Sequence, residues 1–227
     1  MATDPNVLTL PLQYMIPTDV LTDGRSLAAL DWPPGLTAFG NEWKAIPNPT
    51  SLGTAHWRPH VLGADECATV TAWARALPEL DLSGQAAPAA HLGSHMRWIE
   101  PREENHWLYH RIGALMAQVN RQFGFTLAGL SEALLYVEYG PGSHWHWRMD
   151  LGSGIASLRK LAAVIQLSDP SEYDGGTLSF VGLGTMDEVR QHGSATFHPA
   201  YLGHEMTPVT RGTRRVLLAW ASGPAFR

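Results

Sequence analysis

Four side chains able to do chemistry are spaced two residues apart near the middle of this 227-residue chain: His144, His146, Arg148 and Asp150. In an extended strand this period places all four on one face, with Trp145, Trp147 and Met149 on the other. Imidazole and carboxylate can hold a divalent metal or move a proton. A guanidinium stays protonated and offers no lone pair, so it binds anions, not metals. Further along the chain come His204 and, ten residues later, Arg214. The alternation of Arg214 with Val216 and Leu218 directs it inward. The single cysteine, Cys67, excludes an intrachain disulfide and a cysteine metal cluster. Ser153 and Ser194 lack a nucleophile-elbow context. Gly152-Ser153-Gly154 lacks the lysine of a phosphate loop. His56, His60, His91, His95, His106, His110 and His192 show no metal spacing and read as ordinary residues. Trp145 and Trp147 read as packing outside their strand.

The elements that must position these groups change in texture along the chain. The first sixty residues are rich in Pro and Gly, which argues against regular helix. Residues 1–58 are therefore expected to form an N-terminal wrap or lid, and residues 59–227 one main domain. A helix is predicted from about Ala64 to Leu77, with Asp65 and Glu66 at its positive end and Pro78 beyond it. Residues Asp81 to Met96 read as loop. A second helix is predicted from about Asn105 to Phe123, with Gly124 as its stop. After Leu130 come short strand-like runs: Ala133–Tyr139, His144–Asp150, Lys160–Leu167, Thr177–Val181, Ala195–His198, Gly203–Val209 and Arg215–Ala221. Turn residues separate them, as in an antiparallel sandwich or barrel. The predicted class is α+β, mostly β: a double-stranded β-helix (jelly-roll) core with supporting N-terminal helices.

Composition narrows the function. The net charge of −5 argues against a general nucleic-acid surface. The longest apolar runs are strand-length and too short to span a bilayer. Met1 to Val20 lack the features of a signal peptide. The expectations are a cytoplasmic protein with no nucleic-acid and no membrane partner.

Four stretches of this sequence, in order and spacing, resemble the iron(II)- and 2-oxoglutarate-dependent oxygenase superfamily in its prolyl-hydroxylase-like branch. They are Tyr139-Gly140-Pro141-Gly142; Arg159-Lys160-Leu161 with Val164-Ile165-Gln166-Leu167-Ser168; Tyr173-Asp174-Gly175-Gly176-Thr177-Leu178; and His204 with Pro208-Val209-Thr210 and Gly212-Thr213-Arg214. The resemblance covers about Pro59 to Pro224. It implies Fe(II) on Asp150 and His204, 2-oxoglutarate paired with Arg214, and Tyr139 and Gln166 lining the 2-oxoglutarate pocket. It also implies hydroxylation of a small or amino-acid-like substrate, with Arg148, Asp150 and His204 at the reacting centre and Arg148 and His146 toward the substrate.

The departure from the family's pattern is at position 148. A His-x-Asp pair is expected there, and the sequence reads Arg148-Met149-Asp150. At ~4 Å and an effective dielectric near 20, a guanidinium and a dication repel by roughly 8 kcal/mol. Three arrangements are open: Arg148 paired with Asp150, a two-ligand iron with Arg148 swung aside, or His146 as substitute ligand. The last needs the strand to bulge, because His146 and Asp150 stand about 13 Å apart in a straight strand. Position 148 could also carry a substitution in an otherwise ordinary enzyme. The competing function is an iron-free member of the fold: a carboxylate-binding protein, or an isomerase or cyclase using Asp150 and His204 as acid and base.

Overall fold

The computed structural model describes residues 54–80 and 94–226. The predicted wrap over residues 1–53 and most of the predicted loop after Asp81 lie outside the described residues. Among the described residues there are two α-helices: α1 (Ala64–Arg75) and α2 (His106–Phe123). Asp65 and Glu66 sit in the first turn of α1, and the Glu66 carboxylate accepts from the Gly63 amide at 2.8 Å. α2 stops at Gly124, whose φ of 69° gives the left-handed cap that glycine adopts freely.

The strands are β1 (His56–Arg58), β2 (Ser94–Ile99), β3 (Gly129–Leu130), β4 (Leu134–Tyr139), β5 (Trp145–Arg148), β6 (Arg159–Gln166) and β7 (Tyr173–Gly175). They continue as β8 (Leu178–Phe180), β9 (Gly184–Thr185), β10 (Ala195–Pro199), β11 (His204–Met206), β12 (Val209–Gly212) and β13 (Arg214–Ser222). A seven-stranded antiparallel sheet runs β1-β10-β6-β13-β4-β2, with β3 paired to β13. A four-stranded sheet runs β5-β11-β8-β9, and β12 pairs with β7. Strands therefore dominate, as expected. The predicted run Gly203–Val209 is two strands, and β2 occupies the end of a stretch read as loop. β1 pairs with β10, so the large sheet already includes His56.

Two apolar layers explain why the long runs in β6 and β13 are hydrophobic throughout. Leu161, Ala163 and Ile165 of β6, with Leu217 and Ala219 of β13, pack under the helices against Leu108, Ile112 and Met116. Their alternates Ala162, Val216, Leu218 and Trp220 pack with Trp145, Leu178, Phe180 and Met206 of the small sheet. β6 and β13 are thus buried on both faces. The same parity sends Tyr139, Gln166 and Arg214 toward the small sheet. No helix among the described residues is long and apolar enough to cross a membrane.

Candidate metal centre

β5 does not run straight past its neighbour. His204 pairs with Arg148 but Met206 pairs with Trp145, so four residues of β5 stand opposite three of β11. This bulge undoes the period-two reading of the segment. Trp145 and Arg148 now share a side: the Arg148 Cζ lies 4.6 Å over the Trp145 ring, and that ring lies 4.9 Å from Tyr139. Trp145 is buried between the sheets, not outside them, while Trp147 is 51% exposed. His146 is exposed, with its ring 5.2 Å from that of His144. The bulge therefore carries His146 out to solvent.

Asp150 follows β5 and is fixed through its backbone. Its amide donates to the Ala200 carbonyl at 2.9 Å, and its own carbonyl accepts from Arg159 Nη1 at 2.9 Å. Arg159 is gripped by buried Glu132, with Nε donating to Oε2 at 2.7 Å and Nη2 to Oε1 at 2.5 Å. It also stacks 3.9 Å over Trp220. Glu132→Gln should therefore leave Arg159 without its counter-charge. Thermal or urea unfolding should register a loss of about 3 kcal/mol, the scale for a broken buried ion pair.

The Asp150 carboxylate faces two histidines, not Arg148. Oδ2 lies 3.3 Å from His198 Nε2, and Oδ1 lies 3.7 Å from His204 Nε2. Among the described residues no ion pair joins Asp150 to Arg148, whose guanidinium is drawn onto the Trp145 ring instead. One donor atom from each of Asp150, His198 and His204 lies within 4.8 Å of the others. His204 Nδ1 lies 3.1 Å from the Leu202 carbonyl, so Nδ1–H donates there and the Nε2 lone pair faces Asp150. Burial pulls the His204 imidazole down to about 4, which keeps that lone pair free at neutral pH. Burial alone would raise the Asp150 carboxyl. The His198 imidazole against it, with the charges of His204 and Arg148, outweighs burial and holds it well below the usual carboxylate range.

This donor set fits a divalent metal. His198 is fully buried, yet its Nδ1 has no hydrogen-bond partner and its Nε2 faces the Asp150 carboxylate at 3.3 Å. Such a group normally costs free energy unless something fills its lone pair. Metal–ligand bonds of ~2.0–2.2 Å put cis donors roughly 3 Å apart, so a small contraction of this cluster would surround an ion. Two histidines, one carboxylate and no thiolate suit iron(II).

A second group lies deeper in the same layer. Arg214 is 1% exposed. Its Nε donates to Gln166 Oε1 at 3.1 Å, and Nη1 lies 3.0 Å from the Gly176 carbonyl and from Met206 Sδ. Gln166 in turn donates to the Tyr173 hydroxyl at 3.1 Å. All of these partners are neutral. Gly176 has φ +60°, and a Cβ there would stand 3.0 Å from Val209 Cγ2 and 3.3 Å from Arg214 Cδ, so glycine leaves room for the arginine stem. Tyr139 pairs with Arg214 across β4 and β13 and is buried; burial pushes its hydroxyl up to about 12.

The structure thus brings together Asp150, His204, Arg148, Tyr139, Gln166 and Arg214, and it leaves His146 outside. Sequence reasoning missed His198. The signal was present: Ala195 and Phe197 pack under the helices, so Thr196 and His198 must face the other sheet.

No protein-family model matches the chain. It is 27% identical over 172 residues to a PKHD-type hydroxylase of Klebsiella pneumoniae, covering 71% of this chain and 75% of that protein. It is 34% identical over 94 residues to a PKHD-type hydroxylase of Acidovorax ebreus, covering 41% of this chain but only 36% of that one. The crystal structure of a Pseudomonas putida prolyl-4-hydroxylase superposes with a TM-score of 0.59 at 21% identity, over 78% of this chain and 97% of that one. A viral collagen prolyl hydroxylase from Paramecium Bursaria Chlorella virus-1, solved with 2OG, gives 0.56 at 16% identity, over 75% and 96%. At these identities the structural likeness establishes the fold: the chain is built as the prolyl hydroxylases are.

Proposed function

We propose that this protein is an iron(II)- and 2-oxoglutarate-dependent hydroxylase, its two sheets forming a double-stranded β-helix with the metal between them. The observation that carries the reading is the buried cluster of Asp150, His198 and His204. These three would hold the ion, so one of its two histidines comes from β10 instead of from the strand leading to Asp150. Bound iron with 2-oxoglutarate supplies the oxidising chemistry, in which one dioxygen converts the 2-oxo acid to succinate and carbon dioxide and a substrate C–H to C–OH. The chain's own work is to bind and orient. Arg214, whose partners are all neutral, would take the far carboxylate of 2-oxoglutarate, because a guanidinium fork donates two parallel hydrogen bonds. Gln166 would hold that fork in place, and Tyr139 would wall the pocket. The Leu202 carbonyl fixes the His204 ring, and the Glu132–Arg159 pair fixes the Asp150 backbone. Trp145, Phe180 and Met206 keep bulk water from the cluster. The relatives' hydroxylase names and the prolyl hydroxylase fold both agree with this reading.

The test is an anaerobic titration of the purified protein with Fe(II) and then 2-oxoglutarate. A weak visible charge-transfer band should appear only when both are present. Binding of dicarboxylates with no dependence on metal would overturn this reading in favour of an iron-free carboxylate-binding protein.

A further inference from the structure

We infer that Arg148 is a second anion site at the metal centre, reading the single carboxylate of a small amino-acid-like substrate. The inference rests on the proposed hydroxylase and adds a substrate class to it. Arg148 is half-buried and pairs directly with His204 across β5 and β11. Among the described residues no carboxylate lies at ion-pair distance from it: Asp150, whose carboxyl its charge helps to lower, turns its oxygens to His198 and His204, and the Arg148 Nε is buried without a hydrogen-bond partner. A guanidinium with a buried, unpartnered N–H and no ion-paired counter-ion is costly, and such groups are normally paired. Its stem is nevertheless not loose. The guanidinium carbon lies 4.6 Å over the Trp145 ring, which itself packs against Tyr139. This cation–π contact restrains the guanidinium while N–H groups away from the ring can still donate. Glu205, the acidic residue beside His204 in β11, alternates with buried His204 and Met206 and so faces away from this layer.

Charge counting gives the same answer. A dication with Arg148, Arg214 and one carboxylate, Asp150, carries three positive charges. 2-Oxoglutarate removes two of them, and a monocarboxylate substrate removes the third. The metal ligand expected at position 148 has moved to His198, and its former place holds a cation facing the same pocket. A neutral substrate would leave that cation uncompensated.

Isothermal titration of the Mn(II)- and 2-oxoglutarate-loaded protein under argon tests this. The probes are a panel of N-acetyl amino acids, each set against its carboxamide. At least one acid should bind 10-fold or more tightly than its amide. That preference should disappear in Arg148→Gln, while 2-oxoglutarate affinity changes less than 3-fold. Equal binding of acid and amide, or no binding by any probe, would overturn the inference. So would an Arg148→Gln variant that loses 2-oxoglutarate instead of the probe, because Arg148 would then belong to the co-substrate site. The acid–amide comparison is repeated on metal-free protein with Asp150→Asn as a further arm. A preference that survives there, with no metal binding in the native protein, would overturn the hydroxylase reading and keep the Arg148 site.

Discussion

His198→Ala should reduce metal affinity by two orders of magnitude or more without unfolding the protein. Altering groups outside the coordination sphere already costs about 10–100-fold in metal affinity, and removing a ligand costs more. Asp150 and His204 alone would leave a two-ligand site open to water. The measurement is calorimetry with Mn(II), backed by the visible spectrum of the Co(II) form, with circular dichroism to show that the sheets persist. The controls separate the arrangements the sequence left open. His146→Ala should leave affinity unchanged, because the bulge in β5 turns that ring out beside His144. Arg148→His should raise affinity only a few-fold, because the third ligand is already supplied by His198. A large gain in Arg148→His, with little loss in His198→Ala, would show a damaged site instead of a rewired one.

That contrast depends on how much of the centre could be read from the residues. Both helices were legible from their caps and apolar stripes. β6 and β13 were legible as apolar runs; alternation with Val216 and Leu218 directed Arg214 inward, and the resemblance pointed to Gln166. Asp150 and His204 were found through the resemblance to the oxygenase motif. β2 was not: Ser94-His95-Met96-Arg97 has no clean alternation, because this edge strand is only partly buried. The bulge was invisible for the opposite reason. His-Trp-His-Trp-Arg reads as a regular two-residue repeat, and nothing local marks where pairing with β11 slips. His198 was hidden because the resemblance directs attention to the strand before Asp150. The replacement histidine sits nearly fifty residues away, on a strand of the other sheet. Only packing brings β10 and β11 to the same carboxylate.

Arg214→Met should abolish 2-oxoglutarate binding, by at least 100-fold, while leaving metal affinity within a few-fold. The arginine is fully buried, and its hydrogen-bonding partners are all neutral: Gln166, the Gly176 carbonyl and Met206. A dicarboxylate entering this layer would lose its hydration, and only a fixed positive charge offsets that. Methionine matches the stem and removes the charge. It also strips Gln166 Oε1 and the Gly176 carbonyl of a donor, at about 1–3 kcal/mol for each buried group left unsatisfied. The variant should therefore melt earlier, so binding is measured well below its transition. Arg214→Lys divides charge from geometry. It keeps one positive charge but cannot bridge Gln166 and Gly176 while presenting a fork. It should recover part of the stability and roughly a tenth or less of the 2-oxoglutarate affinity. If Arg214→Lys binds as well as the native protein, bulk positive potential suffices. If Arg214→Met binds as well, the co-substrate is held elsewhere, and the neutral shell around Arg214 serves the fold alone.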